Sequence, residues 1–463
     1  MINKSNTIGL PFLYLIMIVI IFAFNLPMPQ DDLLRDVVAG EYGYDYTNLY
    51  VHAPLLAKYN QYIAFDHMLH WSVLLIGKLA TVHVIQSLCH ILFLAPCILI
   101  YLHFMRKDKN CYVYLTIILM LLLNNYTMIR LTLARPEMIF TCWIFWGLWL
   151  KFTTRTMWKL TWLLIGLLMI PGYWLAFFYI PAILVVFDIA RTRLFAAFLF
   201  LLVTMAFWQN YSNGQWFTSI LELGILNSNR LAIIGENKSL ALLLLTPITS
   251  TALIIYLYSY KNVVMNQVTE LRPNLKCLHL NLYHKIKDEF KLVDWNSPTS
   301  SAVILILCYS SLNMIRYSAI ISGLFCILVA IRLVQLKLTV PPITRYVLLC
   351  LAIFLPMTIS CYQLIPKFTI PAGSIVLGTN QSNYYVPFYS SGIKIAPAME
   401  IGANDQGIQL IMKEIDLNGT VSCAQLNKYH FNYLVEKNLT TIPNCLKIYQ
   451  IQKGWRAWKV VNE

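Results

Sequence analysis

The chain has 463 residues, of which 58% are hydrophobic, 14% aromatic and only 12% charged, and its mean hydropathy is +0.61. Soluble globular chains are about 25% charged, so this composition excludes a single soluble domain, and the apolar content excludes disorder. The formal charge of +14 is assigned to inner loops of a membrane protein, because no basic stripe is interleaved with aromatic residues as nucleic-acid binding requires. The composition predicts a polytopic membrane protein that binds no nucleic acid.

The first apolar run, residues 8–26, carries no charged residue and is long enough to cross a hydrocarbon core of about 30 Å. The loop that follows, residues 27–82, is acidic near its start and is predicted to lie outside, with a helix over residues 70–78 in the membrane interface. Cationic loops then predict ten further crossings, which place the amino end inside and the carboxyl end outside. These ten crossings are residues 83–104, 111–126, 137–150, 161–187 (two helices), 194–208, 239–260, 301–314, 318–331 and 346–365.

Residues 161–187 are predicted as two helices because cations flank both ends and Pro171-Gly172 lies near the middle. The predicted fold class is therefore an all-α polytopic membrane domain of about 11 transmembrane helices, residues 1–365, followed by a small soluble α/β domain, residues 366–463. The expected location is a bacterial inner membrane, crossed many times, with the carboxyl end in the periplasm.

The tail mixes short strand patterns with helical patterns and turn-forming residues. Strands are predicted over residues 374–377, 420–422 and 446–451, and helices over residues 407–415 and 424–436. Cys423 and Cys445 are its only cysteines, and a disulfide between them is predicted if the domain lies outside.

An unusual cluster of charges, residues 29–36, directly follows the first span. Adjacent carboxylates at Asp31 and Asp32 are costly near hydrocarbon, and the nearby Arg35 favours their ionised form. An ionised carboxylate can deprotonate an acceptor hydroxyl or bind a cation, so a divalent cation remains open as the one cofactor. The alternative is a solvated acidic loop that only helps to set the topology.

A second group of charges lies at predicted outer ends of spans. Arg135-Pro136-Glu137 begins a helix with proline in its first turn, and Arg316 lies between two spans. Guanidinium groups here offer paired donors for a phosphate. The alternatives are a capping pair at the helix start and simple snorkelling of Arg316 to the interface.

Histidines in the first outer loop form a candidate metal site with Asp66. His52, His67 and His70 share that loop, but their spacing is not diagnostic, and polar surface is the alternative. The sequence contains no phosphate-binding glycine loop, no dinucleotide motif and no serine-hydrolase or zinc-protease motif. Nucleotide hydrolysis, serine hydrolysis and nicotinamide chemistry therefore have no support.

The layout resembles the GT-C superfamily of integral-membrane glycosyltransferases, in particular the protein O-mannosyltransferases and lipid A aminoarabinose transferases. Those proteins have an acidic pair, often D-E-x-R-Y, in a large loop after the first span, and Asp31-Asp32-Leu33-Leu34-Arg35 stands in that place. Residues 52–56 resemble the family's later K-P-P-L segment but lack its Lys-Pro-Pro. Residues 135–137 resemble the Arg-x-acid element at the outer start of the family's fourth span.

The resemblance implies an enzyme that moves a sugar, usually with inversion, from a polyprenyl-phosphate carrier to a lipid, glycan or protein acceptor at the outer face of a bilayer. Asp32, or Asp31 in an alternative alignment, is implied as the general base. The implied substrate-binding residues are His52, Lys58 and Glu137, and the arginines Arg35, Arg135 and Arg316.

Three other functions compete with this one. A transporter or flippase of lipid-linked sugars should place ionisable residues near the middle of the membrane, whereas the notable charges here lie at the outer ends of spans. An O-antigen ligase or polymerase is expected to have its large loop late in the chain. A structural scaffold would leave the acidic pair without a role.

Overall fold

The structure, a computed structural model, contains a helical region and an α/β region. It describes residues 32–43, 48–51, 63–105, 131, 133–151, 156–172, 176, 179–187, 190–211, 214, 298–311, 320–321, 323–324, 366–378, 382–396, 410–411, 414–415, 421–437, 439 and 441–461. Statements about the fold refer to these residues.

The helical region begins with three helices that follow one another closely in the chain. Helix α1 is Asp32–Glu41, α2 is Ile63–Ile76 and α3 is Lys78–Met105. Gly77 separates α2 from α3 and has a φ of +80°, which glycine adopts without strain. Five more helices complete the region: α4 is Pro136–Lys151, α5 is Thr156–Met169, α6 is Ile180–Val186, α7 is Ala190–Tyr211 and α8 is Pro298–Ser311.

The predicted all-α fold with eleven membrane crossings is wrong. Among the described residues, one helix, Arg191–Asn210 within α7, is long and apolar enough to cross a membrane by length and composition. The described chain also contains a five-stranded mixed sheet, which lies in the tail where α/β content was predicted. The same findings overturn the predicted multi-pass location in a bacterial inner membrane.

The prediction failed because an apolar segment can belong to a protein core as well as to a bilayer. Helix α4 has 16 residues, which at about 1.5 Å per residue span less than the roughly 30 Å of a hydrocarbon core. Its side chains are mostly buried inside the protein, including Phe140, Ile144 and Leu148. Residues 111–126, 239–260 and 346–365 lie outside the described residues, as does the first predicted span.

The predicted break in residues 161–187 is confirmed. A 3-10 turn, Ile170–Gly172, ends helix α5, and α6 begins only at Ile180. Pro171 lies within this turn, and proline has no N–H to continue the hydrogen bonds of the preceding helix. The chain therefore turns where the Pro-Gly pair predicted it to turn.

Helices α4 and α5 are joined by a reciprocal tryptophan contact. The rings of Trp143 and Trp162 stack with centroids 4.0 Å apart and an interplanar angle of 5°. Each indole N–H donates to the backbone carbonyl of the other residue, at 2.8 and 2.7 Å. Gly147 and Gly166 lie against these rings, and a Cβ at either position would come within 2.5 Å of an indole carbon. The two helices approach this closely because neither glycine has a side chain.

The α/β region contains strands β1 (Ile375–Gly378), β2 (Lys394–Ala396), β3 (Tyr433–Glu436), β4 (Leu446–Gln452) and β5 (Trp455–Val460). Helix α9, Ser382–Tyr389, connects β1 to β2, and helix α10, Cys423–Lys428, precedes β3. The strand order is β2-β1-β3-β5-β4. Strands β2, β1 and β3 are parallel, while β5 is antiparallel to β3 and β4.

The tail therefore has the mixed helix and strand content that the sequence predicts. The predicted disulfide is confirmed, because Cys423 at the start of α10 is bonded to Cys445, which directly precedes β4. A disulfide in this position closes a loop that spans 22 positions of the chain. The predicted domain boundary between residues 365 and 366 remains a prediction.

One apolar core joins the two regions. It contains Leu33 and Val37 of α1, Phe140 of α4, and Tyr385 and Val386 of α9. A second, smaller core lies on the other side of the sheet, around Leu434 and Trp458. The α/β region therefore packs against helix α1 and shares a core with the helical region.

Candidate functional site

Helix α1 carries the charges that the sequence analysis singled out. Leu33, Leu34, Val37 and Val38 are buried, so two adjacent pairs of apolar residues, four positions apart, fix the helix in the core. Asp32 is the first residue of this helix.

Arg35 and Asp36 form a buried ion pair one turn after Asp32. The Arg35 Nε and Nη2 atoms both donate to Asp36 Oδ1, at 3.0 and 2.9 Å, and the two side chains are only 3% and 1% exposed. Burial of two charges costs several kcal/mol per ion, which only close pairing and further hydrogen bonds offset. The pair therefore holds both side chains in fixed positions on α1.

Helix α2 packs against α1 and adds a third buried charge. His70 Nδ1 lies 2.6 Å from the carbonyl oxygen of Gly40, near the end of α1. Asp66 lies one turn earlier on α2 and is fully buried. Carboxylates are seldom buried unless they are paired or functional, so Asp66 belongs among the candidate site residues.

The second predicted element begins helix α4. Ala134 has a φ of +47°, Arg135 is half-buried, and Pro136 is the first helical residue. A left-handed alanine is strained, and such strain tends to occur at functional sites and tight turns. Glu137 is buried in the first turn, and its backbone carbonyl accepts a hydrogen bond from Thr141 Oγ1 at 2.9 Å.

Helix α9 of the α/β region contacts α1 on another side. Its Tyr385 is buried against Trp455, with ring centroids 5.5 Å apart. Burial raises the pKa of Tyr385 well above its ordinary value, so this hydroxyl stays protonated and does not act as a base at neutral pH.

The described part of the chain contains half of the predicted site residues. Arg35 and Glu137 are buried, Arg135 is half-buried, and Asp32 is placed at the start of α1. The apolar neighbours of these residues, from Leu33 to Met138, belong to the same core. The remaining predicted residues lie outside the described residues: Asp31, His52, Lys58 and Arg316.

A metal centre gains no support from the described residues, among which no three His, Cys, Asp or Glu side chains lie close enough together to bind an ion. Of the proposed ligands, His70 approaches the Gly40 carbonyl, and His52 lies outside the described residues.

Sequence reasoning missed the burial of Asp36 and Asp66. Residues 32–41 were interpreted as loop, whereas their apolar residues follow a helical spacing that places Asp36 on the buried side. That spacing was available in the sequence and predicts a helix with charged residues in its core-facing stripe.

The comparisons with known proteins leave the family open. No family of known proteins matches this chain, and no curated protein is detectably similar to it.

Proposed function

We propose that the chain is a glycosyltransferase that takes a sugar from a polyprenyl-phosphate carrier and transfers it to a hydroxyl of a lipid, glycan or protein acceptor. One observation supports this proposal most strongly. Asp32 is the first residue of helix α1, whose next turn carries the buried Arg35–Asp36 pair and is held in the core by buried apolar residues. A catalytic carboxylate needs such a rigid support, because small misplacements of a reacting group reduce the rate strongly.

The proposed reaction uses one base and several cations. Asp32, with Asp31 as the alternative, takes the proton of the acceptor hydroxyl. The oxygen of that hydroxyl attacks the anomeric carbon of the sugar at the same time. The bond between that carbon and the phosphate oxygen breaks, and the phosphate leaves with the electron pair, which inverts the anomeric centre. The leaving group is already anionic, so it needs cations and no general acid.

The proposed phosphate ligands come from the predicted cations. Among the described cations, Arg135 is half-buried and directly precedes the first residue of helix α4. Lys58 and Arg316 are further candidates, whereas Arg35 is buried and paired with Asp36 and would need a donor group from another direction to bind a phosphate. His52 and Glu137 remain proposed contacts to the sugar or the acceptor.

A lipid-linked donor agrees with the surface of the helical region. Large apolar side chains are exposed on α2, α5 and α7, among them Trp71, Leu75, Met157, Leu168 and Phe195. Extended apolar surface is rare on soluble monomers and indicates contact with lipid or with another protein. We propose that this surface contacts the bilayer that contains the carrier.

The proposal is tested with the full-length protein in liposomes that contain a polyprenyl-phosphate sugar. Asp31→Asn and Asp32→Asn are each compared with wild type, and the base variant is expected to lose about 100- to 10,000-fold in transfer rate. Glu414→Gln, which removes an exposed carboxylate of the α/β region, serves as the control and should keep wild-type activity. Transfer at the wild-type rate in both aspartate variants contradicts the proposal. Movement of the lipid-linked sugar across the bilayer without any transfer would favour a flippase instead.

A further inference from the structure

Three side chains from distant parts of the chain meet at the far end of helix α1. They are Glu41, the last residue of α1, Lys78, the first residue of α3, and Ser391, in the turn before β2. Lys78 Nζ donates to Glu41 Oε2 at 3.0 Å and to Ser391 Oγ at 2.9 Å. Ser391 Oγ in turn donates to Glu41 Oε1 at 3.2 Å. We call this closed set of three hydrogen bonds the α1 junction.

The α1 junction is partly shielded from water. Lys78 is 18% exposed and Glu41 is 33% exposed. The Lys78 ammonium group also lies 5.9 Å from the centre of the Phe388 ring, a distance at which a cation is attracted to an aromatic face. The partial burial of Lys78 and the aromatic contact favour this ion pair, although Ser391 is exposed and the hydrogen bonds lie at the surface, where an ion pair contributes little.

Three hydrogen bonds, two of them between backbone groups, bind the chain after α1 to the same part of the α/β region. The Gly392 N–H donates to the Tyr42 hydroxyl at 2.6 Å. Further along, the Ile395 N–H donates to the Leu49 carbonyl at 2.8 Å, and the Val51 N–H donates to the Ile395 carbonyl at 3.2 Å. The segment that follows the acidic helix therefore extends the sheet beyond its edge strand β2.

The position of the junction sets the direction of α1. Helices α1 and α9 pack against each other, and the last residue of α1 is bonded to the turn that follows α9. The two helices therefore run in the same direction, which directs the Asp32 end of α1 toward the Ser382 end of α9. Because α9 follows β1 directly, that end lies at the carboxyl edge of the parallel strands.

We propose that the α1 junction makes the α/β region the support that positions the acidic end of α1. This inference rests on the proposed function, since it assigns Glu41, Lys78 and Ser391 as positioning residues for the reaction. Asp32 is nine residues from Glu41, about 14 Å along a helix. A helix held at one end by a closed set of hydrogen bonds and along its length by α9 cannot tilt, and its first turn stays in place.

Lys78→Met is the main test, because it removes the charge and keeps most of the apolar stem. Backbone hydrogen exchange in α1 is expected to speed up by about 10-fold or more, since the local free energy of opening falls. In the liposome assay, kcat is expected to fall by about 10-fold with little change in KM for the donor, because misplacement of a base affects the reaction more than binding. Lys78→Arg should return both the hydrogen exchange rate of α1 and kcat close to their wild-type values.

Two further variants make the result specific. Ser391→Ala removes two of the three hydrogen bonds with the smallest change in volume and is expected to have the same effects to a smaller extent. Lys428→Met breaks a different ion pair of the α/β region, in which Nζ lies 2.6 Å from Glu414 Oε2. This control is expected to leave exchange in α1 and kcat unchanged.

The outcomes separate this inference from the proposed function. Wild-type exchange in α1 of Lys78→Met would overturn the role of the junction, and faster exchange with unchanged kcat would overturn the positioning role. If the wild-type protein transfers no sugar while Lys78→Met still loosens α1, the proposed function and the positioning role fail together, and the junction stands only as a structural contact. A loss of kcat in Lys78→Met that Lys78→Arg reverses supports the inference.

Discussion

The helical region and the α/β region are stabilised in different ways. Helices α5 and α7 expose large apolar side chains such as Met157, Leu168 and Phe198. The close contact between α4 and α5 relies on aromatic rings against glycine. The α/β region buries most of its large apolar residues on the two sides of a sheet and adds a disulfide. The first region thus exposes large apolar side chains on several of its described helices, whereas the second buries most of its large apolar residues on a sheet.

The difference predicts that the two regions respond separately to mutation although they share one apolar core. Contacts between α4 and α5 are close and specific, so they are sensitive to an increase in side-chain volume. Strand β3 pairs with β5 across the strand β4 that intervenes in the chain, so this pairing is sensitive to changes that free the unfolded chain. The three predictions below use hydrogen exchange or unfolding of the full-length protein to test this separation.

The largest effect is expected for removal of the disulfide. In the double variant Cys423→Ala with Cys445→Ala, the unfolded chain regains the freedom of a loop of 22 positions, which costs about 3 kcal/mol of stability. Hydrogen exchange should speed up in β3 and β5 and stay unchanged in α4 and α5. The control is Cys308→Ala, which removes a thiol of α8 that is not part of the disulfide. Equal acceleration in both regions would show that they unfold as one unit.

The second prediction concerns the interlocked tryptophans. A Cβ at Gly166 would lie 2.4 Å from Trp143 Cζ2, so Gly166→Ala must push the stacked rings apart and is expected to cost about 2 kcal/mol. Exchange should speed up in α4 and α5 and not in the strands. At Gly77 an added Cβ meets no atom within 4 Å and the cost comes only from its φ of +80°. Gly77→Ala should therefore leave α4 and α5 unaffected, and an equal effect of the two variants would contradict the packing explanation.

The smallest effect is a pH dependence of the α/β region. Hydrogen bonds from Lys428 and, to a lesser extent, Tyr429 hold the pKa of Glu414 below its ordinary value of 4.5. A lowered pKa in the folded state stabilises the protein above the unfolded pKa, and this stability is lost as the pH falls through the folded pKa. The thermal unfolding temperature of the α/β region should fall slightly as the pH is lowered from 7 to 3. The part of this fall that comes from Glu414 should be absent in Lys428→Met. The ion pair is exposed, so identical profiles for the two proteins would mean that it contributes nothing measurable.

The sequence predicted the α/β region better than the helical region. Strand β1 was expected over residues 374–377 and is Ile375–Gly378, and β4 was expected over residues 446–451 and is Leu446–Gln452. Alternating apolar and polar residues and nearby turn residues indicate strands of this kind. The pattern failed at residues 420–422, where Ser422 forms a capping box with Gln425 and begins a helix.

One predicted helix of the tail was too long. Residues 424–436 were expected to be helical, but α10 ends at Lys428 and strand β3 begins at Tyr433. The helix ends near His430, which has a φ of +58°, a left-handed conformation that stops a helix. No glycine or proline marks this point in the sequence, so the turn was not predictable from the usual residues.

In the helical region, the sequence missed helix α1 but predicted the positions of α4 and α7, although not what surrounds them. Residues 137–150 and 194–208 lie within the observed α4 and α7. Apolar residues occur on all sides of these helices, and such a pattern does not distinguish a buried helix from one that faces lipid. The sequence analysis named Asp32 and Arg135 as candidate site residues. It did not name Ser391, which contacts the end of α1 in the structure but is far from α1 in the sequence and lies in no recognisable motif.

The contact between Tyr42 and Gly392 has a consequence for protein synthesis, because these residues are 350 positions apart. At about 5–20 residues per second, a ribosome needs roughly 20–70 s to make the intervening chain. During that time helix α1 has left the ribosome without the turn that holds its far end. A nascent or interrupted polypeptide would thus carry the acidic residues unsupported, and the proposed enzyme would become active only after translation has passed the turn at residues 391–392.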